Sequence, residues 1–227
     1  MMRYSRKPWI PCRANRDRRF TWGQTLAETC KGLTPGLHLG FARATFERIS
    51  SARNGVTLLA FSIYDASIPM MVRMLQNLSS ILDKAAAHAT AKGIDPALMI
   101  EARLAPDMFN LARQVQSAAD AAKACAARLS DEAPPSHPDT ETSFGELKGR
   151  IAKVIAYVES FTPEQINAGG ERSITIPTRG EPLVFKDGGA FLTQFAIPNF
   201  FFHVTTAYGL VRQQGVEIGK MTYLTGA

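Results

Sequence analysis

Cysteine is scarce in this chain of 227 residues: there are three, an odd number, with no Cys-x-x-Cys spacing. Cys12 and Cys30 fall near the start, and Cys125 stands alone among alanines. That excludes a disulfide framework and points to a reducing compartment, so the expected location is the cytoplasm. Cys125 reads as a small buried hydrophobe rather than a nucleophile. Histidine is scarce too. His38, His88, His137 and His203 are the only four, and a three-histidine metal site inside one bundle cannot be assembled from them. No segment has the eighteen unbroken apolar residues that suggest a membrane span. The nearest candidate, Phe191 to Val204, is interrupted by Gln194, Asn199 and His203, so no membrane partner is expected. A nucleophile elbow, a Walker loop, a dinucleotide fingerprint and HExxH are all missing.

Basic charge is plentiful but confined. The net charge is +6, yet residues 1–55 hold 11 Lys+Arg against 3 Asp+Glu, leaving 15 against 17 for the rest. The body therefore has no phosphate-tracking footprint, and nucleic acid is not an expected partner. Residues 1–55 form a basic leader with scattered Pro, Gly and Arg and no apolar core for a signal peptide. An Arg-rich, acid-poor start also suits a transit peptide or a basic arm for anionic surfaces. Composition changes near Val56, which is the expected native start; the leader reads as disordered or as a start-site artefact. Residues 58–225 are the expected domain.

That domain reads as all-α: a four-helix bundle with a small β-hairpin between the third and fourth helices. Met71, Met74, Leu75, Leu78, Ile81, Leu82, Ala85 and Ala89 recur at intervals of three and four, predicting a first helix from about Ile63 to Lys92. Gly93 stops it, and Asp95-Pro96 opens a short helix to about Leu104. The second helix is expected from Pro106 to about Leu129. Its alanines permit close packing, and Gln114 falls on its core side. A polar, proline-rich connection, Asp131 to Thr142, precedes a capping box at Ser143 and Glu146. The third helix then places Phe144, Leu147, Ile151, Val154, Ile155 and Val158 inward, with Glu146, Arg150 and Lys153 toward solvent. Ile174–Ile176 and Leu183–Phe185 read as a hairpin, and Asp187-Gly188-Gly189 as the start of the fourth helix.

The fourth helix is apolar on more than one side. Leu192, Phe195, Phe202, Thr206 and Leu210 share a face with Asn199 and His203; Ile197, Phe200, Phe201, Val204, Tyr208 and Val211 form another. A helix apolar nearly all round must be covered all round, by the hairpin, the leader or a second subunit. The expected assembly is a homodimer through this helix. Pro198 removes one ladder hydrogen bond and should bend it just before Asn199. His203, in mid-helix among phenylalanines, needs a hydrogen-bond partner or a metal if buried. Its candidate partners are Gln114, Asn199 or a carboxylate of another helix. Asp65 would complete a metal site only if presented inward, and Asp107 lies about two turns before Gln114.

The blocks SIYDASIPMMVRMLQNLSSILDKA, ARLAPDMFNLARQVQSAADAAK and FAIPNFFFHVTTAYGLVRQQGVEIGK together resemble an uncharacterised, domain-of-unknown-function branch of the DinB-like (YfiT-type) superfamily. The resemblance covers about residues 58–225. It implies a four-helix bundle, often a dimer, that in many members holds zinc or nickel through one histidine of the second helix and an HxxxH pair of the fourth. Some members are thiol-dependent transferases or isomerases. Position by position, those three ligands fall on Gln114, Asn199 and His203, so only one imidazole remains. The expectation is a degenerate metal site in a metal-free domain that binds a small molecule or serves as a scaffold. The alternative is a metal-dependent, thiol-using transferase or isomerase, with zinc or nickel on His203 as the remaining ligand.

Overall fold

The computed structural model describes residues 61–227. The expectations for the leader, for a start near Val56 and for residues 58–60 lie outside the described residues.

The first long helix, α1 (Ile63–Lys92), starts at a capping box: Ser62 accepts from the Asp65 amide, and the Asp65 carboxylate accepts from the Ser62 amide and hydroxyl. Asp65 is therefore spent on the helix terminus and exposed to solvent, not presented to the core. Gly93, in the left-handed conformation at φ 63°, ends the helix by donating to the Ala89 and Thr90 carbonyls. Asp95 caps the short α2 (Pro96–Ile100).

The next long helix, α3 (Leu111–Ser130), begins five residues later than Pro106. Pro106 and Asp107 belong to an irregular turn, and Asp107 is exposed. The start is set by Asn110, whose Oδ1 accepts from the Arg113 amide at 2.9 Å and whose Nδ2 donates to Glu101 at 2.7 Å. Proline tolerates a first helical turn but offers no acceptor for its free amides, whereas an Asn cap does. Ser143 and Glu146 form the expected capping box of α4 (Phe144–Glu159), and Thr162 with Gln165 opens the short α5 (Pro163–Asn167).

Strands β1 (Ile174–Ile176) and β2 (Leu183–Phe185) pair antiparallel, with Thr175 opposite Val184. Asp187 then caps a short turn, α6 (Gly188–Phe191). The chain approaches itself closely here: a Cβ on Gly188 would stand 2.2 Å from the Gly169 carbonyl oxygen, and one on Gly169 2.2 Å from that of Leu129. Only glycine fits at either place. From Leu192 to Ala196 the helix widens into a π turn, with the Ile197 amide reaching back to the Leu192 carbonyl, before continuing as α7 (Ile197–Gln213). The sequence indicated a bend at Pro198; the feature found just before it is this widened turn. Proline brings no N–H and its ring crowds the carbonyl four residues back, which the wider turn accommodates. A last short helix, α8 (Lys220–Thr225), packs on α1.

The four long helices form a bundle in which α3 neighbours α4 and α7, and α1 neighbours the same two. The alanine-rich middle of α3 is buried, and α1 and α3 touch across the centre. The hairpin covers the start of the last helical stretch: Phe185 packs edge-on against Phe191 at 5.6 Å and lies 5.8 Å from Phe195. Phe202, expected on the covered face shared by Asn199 and His203, is instead 55 % exposed. The buried stripe of α7 runs through Phe200, Val204, Ala207 and Val211; Phe195, Asn199 and His203 lie half-buried beside it, and Phe202 lies about 100° round the helix from His203.

Candidate functional site

Two stripes of side chains face each other across α3 and α7. On α3, Gln114, Ser117, Ala121, Ala124 and Arg128 follow the three-and-four spacing of one helical face. On the π turn and α7, Phe195, Asn199 and His203 do the same. Between them lies a cavity of about 270 Å³, whose lining includes Ser117, Arg128, Phe195, Asn199 and His203. The π turn supplies Phe195 and Ala196, and β1 supplies Ile176.

The structure brings all three candidate positions to this place. Gln114 is buried, and its Oε1 lies 2.8 Å from His203 Nδ1. The Gln114 amide nitrogen donates to the Phe109 carbonyl at 3.4 Å. A carbonyl only accepts, so this contact turns the amide oxygen toward the imidazole. His203 thus donates its Nδ1–H, and Nε2 is left as an unprotonated nitrogen. Burial lowers the pKa of His203 from its ordinary 6.5, and the Arg113 charge adds to the effect. The imidazole is neutral at neutral pH. Asn199 lies one turn before His203 on the same wall, and its side chain has no hydrogen-bond partner among the described residues.

Zinc sites draw on thiolates, imidazoles and carboxylates, usually three or four together. This wall offers one imidazole nitrogen and two neutral amides, one of them already engaged with the imidazole. Among the described residues no three His, Cys, Asp or Glu side chains gather as a metal site. Cys125 borders the cavity but is 1 % exposed, and burial pushes its thiol up to about 12. A thiol held so far from ionisation is a poor nucleophile and a poor ligand.

Arg150, expected toward solvent, is 3 % exposed. Its guanidinium donates to Glu141 and to the Pro138 carbonyl at 3.0 Å each and to Asp120 at 3.0 Å, and it lies 3.1 Å from Asp139. Lys123 lies 2.7 Å from the other Asp120 oxygen, Arg113 pairs with Asp139, and Gln116 donates to Glu141 at 2.9 Å. Three cations and three carboxylates thereby fasten the proline-rich connection to α3 and α4. Burial pushes Glu141 up, but hydrogen bonds and charge, chiefly from Arg150, outweigh it and leave the carboxyl below its ordinary range. The signal lay in Asp139 and Glu141, two acids at the end of the proline-rich connection that reach a cation on the neighbouring helix.

The chain matches the family model "Domain of unknown function (DUF1993)" over residues 63–224. It belongs to that family. Among solved structures it is similar to a DinB family member protein from Shewanella denitrificans, with 44 % identity, a TM-score of 0.64, and coverage of 71 % of this chain and 90 % of that one. No curated protein matches it. The domain is thus a DinB-like helical bundle, as the quoted sequence blocks implied, with the two-stranded hairpin that the β-prone triplets indicated. No helix among the described residues is long and apolar enough to cross a membrane.

Proposed function

We propose that this DUF1993 protein is a metal-free binding domain whose α3–α7 cavity receives a small molecule. Gln114, Asn199 and His203 act there as hydrogen-bonding groups instead of metal ligands. One observation carries the reading: the residue at the second-helix ligand position, Gln114, is hydrogen-bonded to the surviving imidazole at 2.8 Å. That bond spends the Gln114 carbonyl and leaves His203 Nε2 as the one imidazole donor on this wall, where a metal would need three or four strong ligands. The cavity beside it is of ligand size and mixes an apolar floor with convergent polar groups.

The test is the metal content of untagged full-length protein from cells supplemented with zinc or nickel, beside a His203→Ala variant. Substoichiometric metal, unchanged in the variant, is the expected outcome. One metal per chain, lost in His203→Ala, would establish the metal-dependent transferase or isomerase instead.

The assembly proposed with this reading is a cytoplasmic homodimer through α7 and α8. Phe202 on α7 and Met221 and Leu224 on α8 are exposed, and Thr205 joins the two helices through Tyr223 at 3.0 Å. An exposed apolar surface of this kind suits a second copy. Sedimentation should give a dimer that Phe202→Glu converts to monomer; a monomeric wild type would refute the assembly.

A further inference from the structure

We propose that the α3–α7 cavity takes a small organic carboxylate, its charged end held by Arg128 and its apolar body lying over Ala121, Ala124 and Phe195. This rests on the cavity-binding reading above and names the class of ligand.

Charge pairing singles out Arg128. The other ionised residues lining the cavity are neutralised: Arg113 pairs with Asp139, and Asp120 pairs with Lys123 at 2.7 Å and Arg150 at 3.0 Å. Arg128 has no carboxylate within 4 Å among the described residues. Asp131, the acid nearest in sequence, faces Arg172 at 3.6 Å. Among the described residues the guanidinium makes one hydrogen bond, to the Ala124 carbonyl of its own helix at 3.4 Å. With His203 neutral, the cavity carries one half-buried positive charge that no carboxylate among the described residues offsets. A planar guanidinium in such a place matches a carboxylate in shape as well as charge.

The geometry limits the ligand further. The bond to Ala124 folds the Arg128 side chain back over the preceding turn, so its charge sits near the level of Ala124. Gln114 and His203 mark a level ten residues earlier on α3, roughly 15 Å away at about 1.5 Å per residue. The wall between is Ala121 and Ala124 on one side and Phe195 on the other, where small side chains leave room and nothing polar competes. Beyond them the Ser117 hydroxyl and the Asn199 amide have no hydrogen-bond partner among the described residues. They are placed to meet a polar group at the far end of a ligand. A cavity of about 270 Å³ equals the liquid volume of roughly nine waters, and so suits a molecule on the order of ten non-hydrogen atoms. Aryl- and alkyl-carboxylates meet these conditions; nucleotides are too large.

Arg128 also sits in the last turn of α3, where a cation stabilises any helix. A residue with that role alone would leave the cavity indifferent to ligand charge, which makes the two roles separable. The probes are 3-phenylpropanoate and its neutral amide, titrated into the full chain at low ionic strength by calorimetry and ligand-observed NMR. The acid should bind about tenfold or more tightly than the amide. Arg128→Gln should erase that preference while leaving the amide's affinity unchanged, and Arg128→Lys should restore part of it. Circular dichroism confirms that each variant is folded, and Arg179→Gln on the exposed hairpin turn serves as the charge control. Equal binding of acid and amide, or a preference that survives in Arg128→Gln, overturns the carboxylate assignment and leaves the cavity reading standing. Binding of neither compound to the wild type overturns both.

Discussion

Replacing Arg150 by methionine removes the cation at the centre of the buried ionic cluster while keeping most of its volume. Its side chain is 2 % exposed, and it faces Glu141 at 3.0 Å, Asp120 at 3.0 Å and Asp139 at 3.1 Å. The three carboxylates lose unequally. Asp120 keeps Lys123, Asp139 keeps Arg113, and both are more than a third exposed. Glu141, 14 % exposed, keeps only the Gln116 amide. Breaking a buried pair by removing one partner costs about 3–5 kcal/mol. Because solvent screens the two aspartates, the expected loss lies near the bottom of that range, about 3 kcal/mol. Urea unfolding followed by circular dichroism should then show a midpoint lower by roughly 1.5 M, for a slope of about 2 kcal/mol/M. The pH dependence follows from Glu141, whose folded pKa lies below its ordinary 4.5. A depressed carboxyl contributes stability that is present above the unfolded value and lost as pH falls through the folded one. The gap between wild type and variant should therefore narrow as pH falls below about 4.5. A loss under about 1 kcal/mol at neutral pH, or a gap constant across that window, would refute the cluster's role in holding the loop.

Gly188→Ala should cost about 3 kcal/mol, because its Cβ would meet the rigid Gly169 carbonyl oxygen at 2.2 Å, whereas Gly180→Ala, with nothing within 4 Å, should cost under about 0.5 kcal/mol; thermal melts compare the two. In a Cys12→Ser/Cys30→Ser background, Cys125 should react with a disulfide reagent only on unfolding, since its thiol is buried and pushed up to about 12. Reaction in the native state at the rate of a free thiol would show that the cavity wall opens.

Much of the architecture is legible in residue spacing. The stripe from Met71 to Ala89, the Ser143–Glu146 box, the two β-prone triplets and Asp187 as a helix start each state a local rule that the packing obeys. The start of α3 was legible only to someone weighing Asn110 as an acceptor against Pro106 as a helix-tolerant residue, and the cap decides. Arg150 was misplaced because periodicity assigns a face but cannot tell a solvated charge from one that a loop folds over. Phe202 shows the reverse error: an aromatic residue at the edge of an inward stripe can remain outside. Of the site, the convergence of Gln114, Asn199 and His203 followed from the family resemblance. The hydrogen bond between the first and last depends on the α3–α7 pairing and needed coordinates, as did the lack of a carboxylate beside Arg128 among the described residues.

The account rests on His203 being a neutral, hydrogen-bonded partner of Gln114. Long-range nitrogen–proton NMR of the ¹⁵N-labelled imidazole reads that state directly. Nδ1 should carry the proton at neutral pH, titration should occur below the ordinary 6.5, and one equivalent of zinc should leave both ring nitrogens unmoved. Protonation at Nε2 with an unprotonated Nδ1, or a zinc-induced shift of either ring nitrogen, would contradict it.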